Sequence, residues 1–249
     1  MKWKIAGFIL ASVLSASAID KKLPVPGAVN YVEGQATVNE QALSPNSAGS
    51  TDLTAGEVLN TRNGNAEVML VPDVYMRIGQ DSALTMVAPA LANTEVELNH
   101  GTAMVQVNEL HKGNAIRVLE DGAQTHLLKK GLYEFDADHQ QVRDFKGEVA
   151  VRDGDRRVEV NAGRQLALNS SAEAKPQKFN KKEFEDSELY RFNSLRTTYL
   201  AESNPQPNYW AWGPDWGWGP GWGWGPGWGW GLGWAWGPGW GWGSGWGWW

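Results

Sequence analysis

Apolar and polar side chains alternate in short runs through the middle of the chain, and turn-forming residues separate these runs. Alternation with a period of two places neighbouring side chains on opposite faces of a β-strand. The runs recur about every ten residues, with Gly or Asp between many of them, which is typical of a sandwich, a barrel or a solenoid. They cover residues 66–70, 74–78, 83–87, 94–98, 104–107, 116–119, 125–128, 132–135, 142–145, 148–151, 157–160 and 165–168. The pattern predicts an all-β domain over residues 25–168.

One set of apolar residues within these runs keeps a single parity along each strand. A single parity places the side chains on one face, which we expect to point into the core. The set consists of Val68, Leu70, Met104, Val149 and Val151.

The pattern changes after Leu168. Residues 169–180 are small and polar and predict a linker. Residues 181–201 then predict one amphipathic helix, with Asn180 as its N-cap and Glu183 as the reciprocal partner. The apolar stripe of this helix needs a surface, most simply the β domain, and consists of Phe184, Leu189, Phe192, Leu195 and Tyr199.

Residues 210–249 are a low-complexity tail that repeats the hexad Trp-Gly-Trp-Gly-Pro-Gly. They contain 15 of the 16 tryptophans and 16 of the 30 glycines. Glycine and proline at these frequencies prevent a helix or a continuous β-ladder, so the tail cannot form a core by itself. In an extended chain, nearly all the large side chains would lie on one face. The predicted interaction residues are Trp210, Trp212, Trp216, Trp218, Trp222, Trp224, Trp228, Trp230, Trp234, Trp236, Trp240, Trp242, Trp246, Trp248 and Trp249.

Asp215 is the only charged residue after Glu202, so the tail is not an electrostatic binder. An apolar surface of this size indicates an interaction site. We expect contacts with a protein or a membrane interface, or self-association. The alternative is a disordered spacer without a function of its own.

The N-terminus predicts a signal peptide over residues 1–18. Lys2 and Lys4 precede a short apolar run, and Ala16-Ser17-Ala18 is typical of a cleavage site. The alternative is an uncleaved membrane anchor. The apolar run is shorter than a transmembrane helix, however, which needs about 20 residues. We therefore expect export to the periplasm or the cell surface.

Composition narrows the function classes further. The chain has no cysteine, which excludes disulfides, thiolate metal sites and cysteine nucleophiles. The formal net charge is −6 without a basic patch, so nucleic acid is not an expected partner.

No catalytic constellation is visible in the sequence. None of the four histidines, His100, His111, His126 and His139, has a partner at metal-ligand spacing, so we expect them to be solvated. Four acids lie in turn-like stretches: Asp136, Asp138, Asp153 and Asp155. Turn formation explains these acids without a calcium site. We expect a protein that is not an enzyme and has no catalytic, cofactor-binding or metal site.

Seven segments in order resemble the FecR domain, the periplasmic sensor module of iron-dicitrate-type transmembrane regulators. They are residues 56–61, 66–78, 81–84, 101–107, 131–135, 145–151 and 160–165, most of them led by or containing a glycine. The resemblance implies a β-solenoid or sandwich that serves as a protein-interaction or envelope scaffold module, with no catalytic residues. It does not include the regulator's cytoplasmic anti-sigma segment, for which the chain has no room, so we expect no direct control of a sigma factor.

The sequence thus predicts an exported, non-enzymatic binding or scaffold protein that docks through its Trp-rich tail. A second hypothesis is a signal-sensing component that works with a separate membrane anti-sigma or receptor protein. A third is glycan binding, with Trp rings stacked on the sugars of the cell envelope. The ligand of the tail and the oligomeric state stay open.

Overall fold

The structure, a computed structural model, describes residues 25–168 and 174–203. The predicted signal peptide at 1–18 and the Trp-rich tail at 210–249 lie outside the described residues. The chain divides into two compact units between Ser194 and Leu195. Residues 195–203 are the described part of the second unit, and the architecture below is that of the first.

The described residues form fifteen strands, one short 3-10 helix at Pro45–Ser47 and two α-helices. The strands are β1 (Ala28–Val38), β2 (Gln41–Leu43), β3 (Val58–Val71), β4 (Val74–Ile78), β5 (Ala83–Ala90), β6 (Asn93–His100), β7 (Thr102–Val107), β8 (Ala115–Glu120), β9 (Ala123–Leu127), β10 (Gly131–Asp136), β11 (Gln141–Lys146), β12 (Glu148–Asp153), β13 (Arg156–Asn161), β14 (Arg164–Ala167) and β15 (Gln177–Lys178). The helices are α1 (Lys182–Glu185) and α2 (Glu188–Ser203). The prediction of an all-β domain followed by a helical segment is confirmed.

All of these strands belong to one hydrogen-bonded sheet. Its order is β13-β12-β9-β8-β6-β5-β3-β4-β7-β10-β11-β14-β15, and β1 pairs with β2 and β3 beside this path. Neighbouring strands are antiparallel except for the parallel pair β6 and β8. Strand β13, at one end of the order, also approaches β11 and β14 near the other end. The sheet therefore coils back on itself and encloses its inner face.

The inner face forms the main hydrophobic core. Val68, Leu70, Val149 and Val151 lie in this core, and each is at most 1% exposed. Met104 is also fully buried, but it belongs to a second cluster on the opposite face of the sheet. The prediction that all five side chains are buried is confirmed, whereas their assignment to a single interior is wrong for Met104.

The second cluster lies where the helical segment covers the outer face of the sheet. It joins Met104 of β7 and Phe145 of β11 to Leu189 and Phe192 of α2. The Phe145 ring meets the Phe179 ring edge-on, with centroids 5.0 Å apart. Strands under this cover are buried on both faces, and the alternating pattern of burial is lost there, as in the second half of β3.

The predicted single helix at 181–201 is wrong in one respect, because the structure divides it. Helix α1 ends at Glu185, and Ser187 begins α2 by accepting a hydrogen bond from the Tyr190 backbone N–H at 3.2 Å. The expected cap at Asn180 is present in part: its side-chain oxygen accepts from the Lys182 N–H at 3.3 Å. The Glu183 carboxylate, however, accepts from the Asn180 side-chain amide at 3.0 Å, and the Glu183 N–H donates to the Asn180 carbonyl oxygen at 3.2 Å.

The predicted apolar stripe is only half buried. Leu189 and Phe192 are buried and Phe184 packs against the second cluster. Leu195 and Tyr199 are 71% and 63% exposed. Helical periodicity predicted the burial of Leu189 and Phe192, but it does not show which further positions of the stripe are covered.

Three strands were not predicted. Strand β1 pairs with β3 through register shifts between Val29 and Tyr31 and between Gly34 and Ala36, and these interrupt its alternation. Strand β2 has three residues and no fully buried side chain. Strand β15 lies inside the predicted linker at 169–180, where it pairs with β14.

The turn before β7 shows why a glycine is needed at one of the predicted steps. Gly101 has a φ of +82°, a conformation that glycine adopts without a steric penalty. A Cβ atom there would lie 2.2 Å from the Ser82 hydroxyl oxygen.

No helix among the described residues is long and apolar enough to cross a membrane.

Candidate functional site

The fifteen tail tryptophans predicted as interaction residues, Trp210 to Trp249, lie outside the described residues. The sites described below therefore belong to the β domain and its helical cover. They comprise the histidines, two buried charge networks, two buried acids and one open cleft.

The histidines differ in burial and in contacts, whereas the sequence predicted that all four are solvated. His126 of β9 is half-buried, and burial lowers its pKa, assisted by the positive charges of Arg117 and Arg157. The His100 Nδ1 lies 3.0 Å from the Asp81 carbonyl oxygen. His139 remains exposed.

His111 is close to two acids that the sequence did not connect with it. Its Nε2 lies 3.8 Å from the Asp73 carboxylate, and its Nδ1 lies 3.6 Å from the Glu109 carboxylate. The Asn108 N–H donates to the Asp73 carbonyl oxygen at 2.9 Å and holds the two loops together. Among the described residues these are the three His or acidic side chains close enough to share a metal ion. The three side chains are 48–66% exposed, as is common for surface acids and histidines that hold no ion.

Asp136 lies at the predicted turn, but its carboxylate is also buried at the end of β10, which the sequence did not predict. Arg143 of β11 donates to Asp136 Oδ2 at 3.2 Å and also to the Glu134 carboxylate. The Arg143 guanidinium lies 4.5 Å from the centroid of the Phe184 ring, which covers it. The turn itself begins after Asp136, whose Oδ1 accepts the His139 N–H at 3.1 Å.

A second buried network fixes α2 to the sheet. The Arg77 Nε donates to the Glu67 carboxylate at 2.8 Å, and both side chains are 0% exposed. Arg77 also donates to the Asn193 side-chain oxygen of α2. At the start of the helix, the Glu188 carboxylate accepts from the Gln80 side-chain amide at 2.6 Å. Buried ion pairs are weak sources of stability but expensive to break, so these contacts specify where the helix docks.

Two further acids are buried, namely Glu120 of β8 and Asp144 of β11, and neither carboxylate has a hydrogen-bond partner of normal geometry among the described residues. Burial raises the pKa of Glu120 to about 8, and the nearby Asp136 carboxylate adds to the effect. Burial also raises the pKa of Asp144 to about 7, against the opposing influence of the Lys181 ammonium group. Sequence reasoning missed both residues, because nothing in a strand pattern shows which polar positions will be covered.

A cleft of about 580 Å³ lies between the ends of three strands and the helical cover. Strands β7, β10 and β11 run side by side there, with Gly131 opposite Val107 and Leu132 opposite Lys146. The apolar wall of the cleft is formed by Leu132, Phe145 and Tyr190. A Cβ at Gly131 would overlap the Lys146 carbonyl oxygen, so the strands approach closely at this point.

Three lysines line the same cleft, namely Lys130, Lys146 and Lys181, and none of the other described lining residues is acidic. Lys130 and Lys146 are exposed, and neither has a described carboxylate within 4.0 Å. Lys181 is held against the sheet, since its ammonium group donates to the Phe145 carbonyl oxygen. The cleft therefore combines positive charge with an apolar wall on a protein whose net charge is −6.

No protein-family model and no curated protein matches the chain. Two crystal structures show a partial likeness in fold, and both are described as "a putative anti-sigma factor from Parabacteroides distasonis ATCC 8503". Their sequence identities are 15% and 14%, and the TM-score is 0.42 for each. The match covers 49% of this chain and spans 60% of the length of the other. Similarity at this level assigns neither a family nor a function.

Proposed function

We propose that the protein is an exported, non-enzymatic binding or scaffold module of the cell envelope, which makes its contacts through the Trp-rich tail. The observation that carries this proposal is the concentration of 15 of 16 tryptophans in residues 210–249. A Trp side chain buries about 150–250 Å² when it is covered, so the tail offers a large apolar surface to a partner. Tryptophan also favours the boundary between membrane and water, where the ring is buried and the N–H stays hydrated.

The β domain supports this proposal as a self-contained base for the tail. Its two core clusters are built from residues between Val29 and Phe192. The buried ion pair of Arg77 with Glu67 fixes the first half of α2 to the sheet. A domain with its own core leaves the tail available for external contacts.

Vesicle flotation tests the proposal directly. The full chain should float with neutral phosphatidylcholine vesicles, while a variant with serine at all fifteen tail Trp positions should remain in the soluble fraction. Sedimentation velocity without lipid separates self-association, which should also be lost in the serine variant. Capture by cell-wall glycan instead of vesicles would favour the glycan hypothesis. N-terminal sequencing tests export, for which a mature chain that begins at Ile19 is expected.

The sensing hypothesis is supported by the order of glycine-led strands. Gly101, Gly147 and Gly163 all have positive φ, and each lies directly before a strand, β7, β12 and β14. These glycines belong to the segments that resemble the FecR domain. Affinity capture from envelope extracts would favour sensing if a membrane anti-sigma or receptor protein were retained equally by the full chain and the serine variant.

A further inference from the structure

The lysine-lined cleft is a second feature of the molecule that can bind a ligand, and it does not involve the tail. Its volume of about 580 Å³ lies within the range of about 300–1,000 Å³ that is usual for small-molecule sites. The wall formed by Leu132, Phe145 and Tyr190 can cover an apolar group. The Phe145 and Tyr190 rings are 5.7 Å apart and define one side of the opening.

The charges around the cleft select the ligand class. Lys130 directly precedes β10, Lys146 ends the adjacent strand β11, and Lys181 directly precedes α1. The neighbouring Glu148 carboxylate is paired with Lys129 at 2.7 Å, and neither residue lines the cleft. The Lys181 ammonium group also interacts with the buried Asp144 carboxylate. Lys130 and Lys146 have no such described partner, so their ammonium groups attract an anion in a protein that otherwise repels anions.

We propose that this cleft binds a small organic anion in which a carboxylate or phosphate group is attached to an apolar body. Lys130 and Lys146 hold the charged group at the mouth, and Lys181 provides a third positive charge. The apolar body packs against Leu132, Phe145 and Tyr190. Both parts are required, because lysines at a solvated mouth bind a simple anion weakly.

Isothermal titration of the full chain with 2-naphthoate, 1-naphthyl phosphate and the neutral 2-naphthamide tests the proposal. The two anions should bind with one site per chain, and the amide should bind at least tenfold more weakly. In the double variant Lys130→Gln/Lys146→Gln, the affinity for both anions should fall at least tenfold. The control Lys112→Gln/Lys175→Gln removes two charges from exposed lysines outside the cleft and should leave the affinity within about twofold, since distant exposed charges are screened. All four positions are exposed, and an unchanged thermal melt confirms that the fold is intact.

Three outcomes would overturn the proposal. Equal binding of the amide would show that charge does not select the ligand. Equal affinity in the cleft variant and the control variant would place binding elsewhere, including on the tail. Competition by inorganic phosphate at the same concentration as naphthyl phosphate would show that the apolar wall contributes nothing. The serine variant of the tail should keep the cleft affinity, so failure here and failure of the proposed tail function are separate results.

Discussion

Val149 is the second residue of β12, lies opposite Val160 of β13 and Leu127 of β9, and is 0% exposed. Val149→Asp would place an unpaired carboxylate in this apolar environment. We expect it to lower the free energy of unfolding by about 3 kcal/mol or more. The matched control is Val87→Asp in β5, where the side chain is 36% exposed and the cost should be about 1 kcal/mol or less. Urea denaturation measures both values, and equal costs would contradict the described interior.

Glu120 gives the protein an unusual pH dependence of stability. The pKa of Glu120 is raised from 4.5 to about 8. Between these two pH values the folded state keeps a proton on Glu120 that the unfolded chain has released. Stability from this group is therefore fully present below pH 4.5 and falls as the pH rises toward 8. Glu120→Gln keeps the shape without the charge, and above pH 8 it should be more stable than the wild type by about 2–4 kcal/mol.

Urea denaturation at several pH values between 4.5 and 9 checks this prediction. The exposed control Glu33→Gln should follow the wild-type curve. Asp144, whose pKa is raised to about 7, should leave a smaller fall in stability with rising pH in the Glu120→Gln variant. A Glu120→Gln variant that loses stability at high pH would show that the carboxylate is favourably bound in the fold.

For individual residues, the sequence predicted the burial of some side chains and not of others. Val68, Leu70 and Val149 could be placed in the interior because apolar side chains in alternating strands have few alternatives. The burial of Asp136 could not be predicted, because its partner Arg143 reaches it only through the pairing of β10 with β11. The cleft was equally invisible, since it assembles lysines from two strand ends and the helical segment.

At the scale of elements, α2 provides an internal comparison between two leucines. Leu189 is 9% exposed and belongs to the second core cluster, whereas Leu195 is 71% exposed. Leu189→Ala should cost about 2–3 kcal/mol, and Leu195→Ala about 0.5 kcal/mol or less. Thermal and urea denaturation of the two variants checks this. Equal effects would mean that the helix rests on another face.

The elements that the sequence predicted well are those with uninterrupted patterns. Strand β4 has the predicted bounds, because Val74–Ile78 alternates between two clear turns. Strand β1 escaped prediction because its two register shifts change which positions face the core. The division of the helix at 186–187 depends on the Ser187 cap, a local signal that helical periodicity overlooks.

At the scale of the whole molecule, the domain should fold without the tail. The reason is that, among the described residues, both core clusters are built from side chains between Val29 and Phe192. A chain of residues 19–203 should give a β-rich circular dichroism spectrum and one cooperative thermal transition close to that of the full mature chain. A truncated chain without a cooperative transition would show that the tail completes the core.

Trp fluorescence tests directly whether the tail is an interaction element. A chain that begins at Ile19, as expected after export, contains no Trp before Trp210, so its Trp emission arises from the tail alone. On mixing with neutral liposomes or on raising the protein concentration, the emission should shift to the blue. Because Asp215 is the only charge in the tail, the shift should be nearly independent of salt. An emission that stays fully water-like with liposomes, with cell-wall glycan and at high protein concentration would contradict the account and leave the tail as a spacer.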